Sequence, residues 1–247
     1  MDIESIIKSV GDKLIDDFNK LTEYEVKEKY ELVSLSDKTV ENELIQEISK
    51  LYPDDSIFSE EIGSIDKGSN RRWIIDPIDG TADFIFGVPY FAISVALEKD
   101  NGIEEGYVFN PVSNEFYKSN KNEGKSYLNN KEIHVSNTES ISESLIAFGF
   151  SANPRNIKRY LEEWNGLMCN CKKALPLITP ALTICNVARG RIDAYIDFGS
   201  SMEGKAAASL ILENAGGKIE GYMEEEFDYK KKGHICYNGI INLERDR

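Results

Sequence analysis

An apolar run near the first third of the chain ends in the sequence Asp76-Pro77-Ile78-Asp79-Gly80-Thr81. The residues before it, Trp73-Ile74-Ile75, predict a buried strand. The carboxylate of Asp76 is therefore expected at the C-terminal edge of that strand. Pro77 fixes the backbone at this point, and Asp79 supplies a second carboxylate three residues later.

The residues that complete this stretch favour an ion and a phosphate. Ile78 offers a main-chain carbonyl, while Gly80 and Thr81 offer backbone N–H groups with no bulky side chain in the way. Hard oxygen ligands and an N–H cradle are what Mg²⁺ and a phosphate require. The alternative is an Asp-Gly turn whose aspartates only bind the backbone. Glu60 and Glu61 upstream favour the metal, because adjacent carboxylates among apolar residues need a positive partner.

Hydrophobic spacing predicts two helices before this stretch. Apolar residues recur at helical intervals between Ile3 and Phe18. A second helix is expected from about Asp37 to Tyr52, with Asp37 in the N-cap position. This pattern does not distinguish between a role of Asp37 in the active site and a role as the helix cap alone.

Strands are expected from Arg72 onward, followed by a second region after a polar stretch near residue 140. The predicted segments are strands at 91–97, 106–109, 145–148 and 194–196, a hairpin tip at Asn129-Asn130, and a helix over 205–214. We divide the chain into residues 1–139, which carry most of the candidate metal ligands, and residues 140–247, which carry candidate substrate residues.

Composition restricts the kinds of partner. The 247 residues carry a formal net charge of −14 without an acidic tail, and such a surface repels nucleic acid and anionic lipid. The N-terminus lacks the basic and apolar regions of a signal peptide, which predicts a cytoplasmic protein. Four irregularly spaced cysteines do not indicate a disulfide framework. We therefore expect neither a nucleic-acid nor a membrane partner.

Over nearly its whole length the chain resembles the inositol monophosphatase family. The segments that carry the resemblance are Leu32 to Asp37, Glu60-Glu61, Trp73 to Phe84, Gly87 to Ser94, Glu123 to Asn129 and Ala188 to Tyr195. The resemblance implies an α/β (α+β) fold, a layered αβαβα sandwich of the sugar-phosphatase type. It also implies a Mg²⁺-dependent phosphatase that hydrolyses a small inositol, sugar or polyol phosphate, and a homodimer.

The resemblance implies a metal site with one to three Mg²⁺ ions. Glu60, Asp76 and the carbonyl of Ile78 would hold a first ion that activates the attacking water. Asp76 and Asp79 would share a second ion near the leaving oxygen. Such ions offset phosphate charge and align the attacking and leaving oxygens.

The resemblance also assigns residues to the water and the phosphate. Asp37 and Thr81 would form a hydrogen-bonded pair that orients or deprotonates the nucleophile. The N–H groups of Gly80 and Thr81 would bind the phosphate. Asp83 is a further candidate substrate contact, with a loop-stabilising role as the alternative.

One expected metal ligand is missing. Where the family carries an aspartate in a Trp-Asp-x-Ala-Ala segment, this chain has Glu203 and Gly204 in place of the Trp and Asp. Three accounts remain open. Glu203 could reach the second ion, Lys205 could place an ammonium near the phosphate, or the second metal site could be weakened or lost.

The substrate side departs from the family as well. The segment Ile178 to Leu182, which contains Thr179, replaces a small Gly-x-Ala segment, and Asp197 replaces a common Glu. We therefore keep two alternatives to a small sugar-phosphate phosphatase. One is a nucleotide-type phosphatase acting on 3′-phosphoadenosine compounds or NADP, and the other is a catalytically weakened relative that binds phosphate esters.

Overall fold

The computed structural model describes residues 2–18, 20, 24–28, 31–150, 154–222 and 226–243. Within these ranges the α-helices are α1 (Ile3–Phe18), α2 (Leu35–Leu51), α3 (Thr81–Ile85), α4 (Pro154–Asn170), α5 (Pro180–Ala188) and α6 (Glu203–Asn214). One 3₁₀ turn spans Ile141–Glu143. No helix in the described part of the chain is both long and apolar enough to cross a membrane.

The strands form a two-stranded ribbon and two larger sheets. The ribbon pairs β1 (Tyr24–Glu28) with β2 (Glu31–Ser34). The eight-stranded sheet contains β3 (Ser56–Ser59), β4 (Gly63–Ile65), β5 (Arg71–Asp79), β6 (Ala92–Lys99), β7 (Gly102–Asn110), β8 (Glu115–Asn120), β9 (Lys125–Leu128) and β10 (Lys131–Glu132). The five-stranded sheet contains β11 (Leu145–Gly149), β12 (Lys173–Pro176), β13 (Ala194–Asp197), β14 (Lys218–Gly221) and β15 (His234–Tyr237).

The helices and the two larger sheets form five layers, with three hydrophobic cores between them. Alternate residues of β5 and β6 point to opposite faces of the large sheet. One face packs on α1 and α2, and the other packs on α5 and α6. The small sheet covers the far side of α5 and α6, and its outer face packs on α4. The order is therefore α, β, α, β, α, which confirms the predicted layered sandwich.

The predicted elements are largely present, with one correction at the second helix. Helix α2 begins at Leu35, and its N-cap is Ser34. Asp37 is therefore not the N-cap. It lies in the first turn, where its carboxylate accepts the Ser34 N–H at 2.7 Å, while the Asp37 N–H donates to the Ser34 hydroxyl at 3.3 Å. This reciprocal capping box leaves one oxygen of Asp37 for another partner.

Other predicted features lie close to their expected places. Asn129 and Asn130 form the hairpin tip with positive φ angles of 47° and 64°, a conformation that asparagine tolerates. The helix expected over 205–214 begins two residues earlier, at Glu203. The division of the chain between residues 139 and 140 stays a prediction.

Helix α6 approaches the large sheet at a glycine. A β-carbon added to Gly106 in β7 would lie 2.4 Å from the carbonyl oxygen of Ala207 in α6. This distance is far inside van der Waals contact, and the obstacle is backbone. Glycine at this position therefore lets α6 lie flat on the sheet.

We expect Gly106→Ala to lower the free energy of unfolding by about 1–3 kcal/mol, because the added methyl group pushes α6 off the sheet. Urea unfolding measures this change. Gly102→Ala is the matched control in the same strand, because its β-carbon would meet the flexible end of Lys121 at 3.4 Å and the carbonyl oxygen of Lys99 at an ordinary contact distance of 3.8 Å. Equal losses in the two variants would contradict the close approach.

Candidate active site

A bulge in β5 brings Asp76 and Asp79 to the same face of the large sheet. Asp76 pairs with Ser94 of β6 and Asp79 pairs with Ala92, so three steps along β5 match two steps along β6. Residues two apart on a regular strand share a face, whereas residues three apart do not. The extra residue in the bulge therefore aligns the two carboxylates on the side that faces α5 and α6.

Asp79 is fixed by the start of helix α5. Its Oδ2 accepts the N–H of Ala181 at 2.7 Å. Burial raises the pKa of Asp79 well above its usual value, although backbone N–H groups of Ala181 and Leu182 act in the opposite direction. A helix N-terminus stabilises a negative charge, and here it supports a carboxylate that is only 5% exposed.

Asp76 lacks such support. It is 4% exposed, and its Oδ1 has no hydrogen-bond partner among the described residues. Burial, followed by the negative charges of Glu60 and Asp79, raises the pKa of Asp76 well above its usual value. An orphaned buried carboxylate beside other acids is unfavourable unless a cation neutralises it. The residues present therefore fit a divalent cation with oxygen ligands.

Glu60 follows β3 in an exposed turn, and the Glu61 N–H donates to Glu41 Oε1 at 2.8 Å. In the described part of the chain, no group of three or more His, Cys, Asp or Glu side chains is arranged to hold a metal ion. The preassembled portion of the site is thus the aspartate pair in β5. Participation of Glu60 stays a prediction.

Asp37 and Thr81 meet beside the aspartates. Thr81 Oγ1 lies 3.1 Å from Asp37 Oδ1 and 3.0 Å from the carbonyl oxygen of Ile78. Burial raises the pKa of Asp37, although hydrogen bonds from Ser34 and Thr81 oppose the shift. The structure therefore brings together the two residues expected to act on the nucleophile, and links them to the Ile78 carbonyl.

Gly80 makes the turn from β5 into α3. Its φ of 92° lies in the left-handed region that glycine adopts without strain. A β-carbon here would also lie 2.4 Å from Thr179 Oγ1 and 3.1 Å from the carbonyl oxygen of Tyr90. Both the backbone angle and the close approach of the second half of the chain therefore require glycine.

Thr179 and Asp83 make contacts within the protein. Thr179 is fully buried, and its hydroxyl lies 2.9 Å from Asp83 Oδ2 and 2.8 Å from the Tyr90 carbonyl oxygen. These contacts join the loop after α3 to the start of α5. They favour the loop-stabilising interpretation of Asp83, while its role toward substrate stays a prediction.

Asp197 and Lys205 are also engaged inside the protein. Asp197 accepts the Tyr195 hydroxyl at 3.1 Å and the N–H groups of Gly199 and Ser200 at 3.0 and 2.7 Å. Lys205 is fully buried, and its Nζ donates to the carbonyl oxygens of Ser200 (2.9 Å) and Lys231 (2.5 Å). Its ammonium is therefore directed at these carbonyls, and a contact of Lys205 with substrate stays a prediction.

Gly204, which stands where the family carries a metal-binding aspartate, lies beside the aspartate pair. A β-carbon built on Gly204 would lie 3.4 Å from Asp79 Oδ1 and 3.5 Å from Asp76 Oδ2. Glu203, one residue earlier, is 9% exposed, and its charge contributes to the raised pKa of Asp76. Both residues therefore belong to the surroundings of the aspartate pair.

Two features of the site were missed at the sequence level although signals for them exist. The spacing Ser34-Leu35-Ser36-Asp37 is typical of a capping box, which assigns the N-cap to Ser34. Pro180 at the first position of α5 is a common helix-start signal. Recognition of that start would have predicted N–H groups for a carboxylate, but not which carboxylate they bind.

The fold and the site define a layered α/β protein with a buried carboxylate pair whose oxygen ligands fit a cation. The model of the inositol monophosphatase family matches residues 2–245, and the chain belongs to that family. The protein "Nus factor SuhB" of Haemophilus influenzae is 35% identical over 201 residues, which are 81% of this chain and 74% of that protein. Human "Inositol monophosphatase 1" is 32% identical over 222 residues, covering 87% of this chain and 80% of the human protein.

A solved structure agrees with this assignment. The structure of the Thermotoga maritima IMPase aligns with a TM-score of 0.87 at 27% identity, covering 96% of this chain and 90% of that one. Family membership and the fold class predicted from the sequence are therefore confirmed.

A buried histidine behind the site predicts a pH effect on stability. His234 is fully buried, and burial lowers its pKa to about 4, against an opposing effect of Asp197. A lowered pKa in the folded state means that the unfolded chain binds the proton more tightly. The stabilisation from neutral His234 is therefore complete above the usual pKa of about 6.5 and is lost as pH falls toward 4.

We compare the free energy of unfolding of the wild-type chain with that of His234→Gln. The difference in favour of the wild type should decrease by about 2 kcal/mol when the pH is lowered from 7 to 5. Urea unfolding of both proteins in metal-free buffer measures the difference. Comparison with the variant cancels the contributions of the buried carboxylates, and His134→Gln is the control at an exposed position. A constant difference across this range would contradict the prediction.

Proposed function

We propose that this chain hydrolyses a small phosphate monoester with the help of Mg²⁺, releasing an alcohol and inorganic phosphate. The observation that carries the proposal is the bulge of β5, which aligns Asp76 and Asp79 and leaves Asp76 Oδ1 buried without a partner. The protein carries a formal net charge of −14, which repels a phosphate group. A phosphate-binding site on this protein therefore needs local positive charge. A bound cation at this pair would provide it.

In this proposal, Glu60, Asp76 and the Ile78 carbonyl hold one cation, and Asp76 and Asp79 hold another. When bound, Mg²⁺ supplies positive charge beside the phosphate and acidifies water. Asp79 is already oriented by the start of α5, so its free oxygen has a fixed direction. Glu203 is retained as a further candidate ligand, because it lies near Asp76.

The remaining residues act on the water and the phosphate. Asp37 is held by Ser34 through one oxygen and by Thr81 through the other. In this proposal the Thr81 hydroxyl orients the nucleophile and Asp37 accepts its proton, a role supported by the raised pKa of the Asp37 carboxylate. The N–H groups of Gly80 and Thr81 bind the phosphate oxygens.

A second candidate function rests on Gly204. With no carboxylate at this position, the chain could bind phosphate esters without turning them over. The name of one relative, "Nus factor SuhB", does not contain a phosphatase activity. The substrate class, the homodimer and the cytoplasmic location stay predictions.

We expect Mg²⁺-dependent phosphate release from at least one member of a panel of inositol, sugar and polyol phosphates, 3′-phosphoadenosine compounds and NADP. Glu60→Gln should lower kcat/KM by about 10- to 100-fold, because it removes a metal ligand. Glu61→Gln is the matched control for the loss of one negative charge, since Glu61 is not a candidate metal ligand although its charge acts on Asp37, and its loss in kcat/KM should be well below that of Glu60→Gln. A colorimetric phosphate assay with and without chelator measures both.

Three outcomes separate the functions. Activity on the nucleotide compounds alone would assign the nucleotide-type alternative. Tight binding of a phosphate ester by calorimetry without any turnover would favour the non-catalytic function. Phosphate release that persists in chelator, or equal losses in the two glutamate variants, would contradict the metal-dependent mechanism.

A further inference from the structure

The space in front of Gly204 is lined by oxygen atoms from three residues. The three heavy atoms nearest to a β-carbon built on Gly204 are Asp79 Oδ1 at 3.4 Å, Asp76 Oδ2 at 3.5 Å and Ser201 Oγ at 3.6 Å. We call this space the Gly204 niche. All three distances are ordinary van der Waals contacts, so a side chain would fit. Glycine is therefore not required by crowding, and its effect is to leave the niche open.

The backbone does not require glycine at this position either. Gly204 lies in the first turn of α6 and is absent from the residues with positive φ. Glycine in a helix loses more conformational entropy on folding than alanine does. Gly204 is thus unfavourable for helix stability, and neither crowding nor the backbone angle requires it. This combination indicates that the open niche beside it has a function.

The niche has the chemistry of a cation site. Asp76 and Asp79 are 4% and 5% exposed, and Asp76 Oδ1 lacks a partner among the described residues. These observations are independent of the glycine. Two carboxylates and a hydroxyl are hard ligands, and Mg²⁺ commonly completes such an incomplete ligand set with water.

Ser200, the residue before Ser201, contacts three buried polar side chains, those of Asp197, Lys205 and His234. The Ser200 N–H donates to Asp197 Oδ2 at 2.7 Å, and its carbonyl accepts from Lys205 Nζ at 2.9 Å. The Ser200 hydroxyl lies 3.3 Å from His234 Nδ1. All three partners are nearly or fully buried, where ionisable side chains are costly. These contacts hold the main chain at Ser200, directly before the exposed residue Ser201, whose hydroxyl lies at the niche.

We propose that Ser201 is a binding residue of this site, and that with Asp76 and Asp79 it takes a hydrated divalent cation in the Gly204 niche. This inference rests on the proposed function and specifies how the chain replaces the missing carboxylate. A neutral hydroxyl stands where a negative ligand is expected, so the niche carries one negative charge fewer. The cation in the niche is therefore bound more weakly than it would be with a carboxylate at position 204.

The test is a Mn²⁺ titration of the full-length metal-free protein, with free Mn²⁺ followed by electron paramagnetic resonance. We expect two affinity classes in the wild type. Ser201→Ala should weaken one class several-fold without changing the other. Gly204→Asp should tighten that same class at least about tenfold, since it adds a charged ligand at van der Waals distance from both aspartates.

Matched variants control for shape and for folding. Gly204→Asn has nearly the shape of Gly204→Asp without the charge and should not produce the tenfold gain. Ser113→Ala removes an exposed serine outside the site and should titrate like the wild type. Thermal unfolding checks that each variant folds, and if Gly204→Asp does not fold, Ser201→Ala decides the question.

The outcomes separate this inference from the proposed function. Mn²⁺ binding that is abolished by Asp76→Asn but unchanged by Ser201→Ala would overturn the role of Ser201, whatever Gly204→Asp does, and leave the metal-dependent function standing. Absence of Mn²⁺ binding by the wild type would overturn both. A tenfold gain in Gly204→Asn equal to that in Gly204→Asp would also overturn the inference, because charge would not be its cause.

Discussion

The alignment of Asp76 with Asp79 is the constraint on which the rest of the site depends. Without the bulge in β5, side chains three residues apart would point to opposite sides of the sheet. Burial makes the aligned pair unfavourable in the absence of a positive partner, and this is the same property that prepares it for a cation. The unfavourable burial of these two negative charges is therefore located where a bound cation would neutralise them.

Helices α5 and α6 determine how that pair is used. They lie between the two sheets, and both begin near the aspartates. Helix α5 supplies N–H groups to Asp79, while α6 presents a glycine in place of a side chain. Close packing at Gly106 holds α6 against the large sheet. Because α5 and α6 also carry the small sheet, the layer order and the site geometry are consequences of the same packing.

Much of the candidate site could be predicted from local patterns. A strand ending in two spaced acids, a following glycine and an upstream pair of glutamates indicated oxygen ligands and a phosphate cradle. The helix periodicities and the hairpin tip at Asn129-Asn130 were also visible locally. Lys205 shows the limit, because its sequence position beside Gly204 did not reveal its partners in the protein. Its ammonium donates to the carbonyls of Ser200 and Lys231.

The sequence by itself determined the residue types of the site, several of the helices and strands and the family, because these depend on local spacing and on motifs. Only the tertiary structure decided which side chains meet. Asp79 and Ala181 are 102 residues apart along the chain, and Thr81 and Asp37 are 44 apart. The proximity of Ser201 and Gly204 to the aspartates likewise depends on how α6 packs on the sheet. Such contacts arise from the packing of whole layers, and no local pattern encodes them.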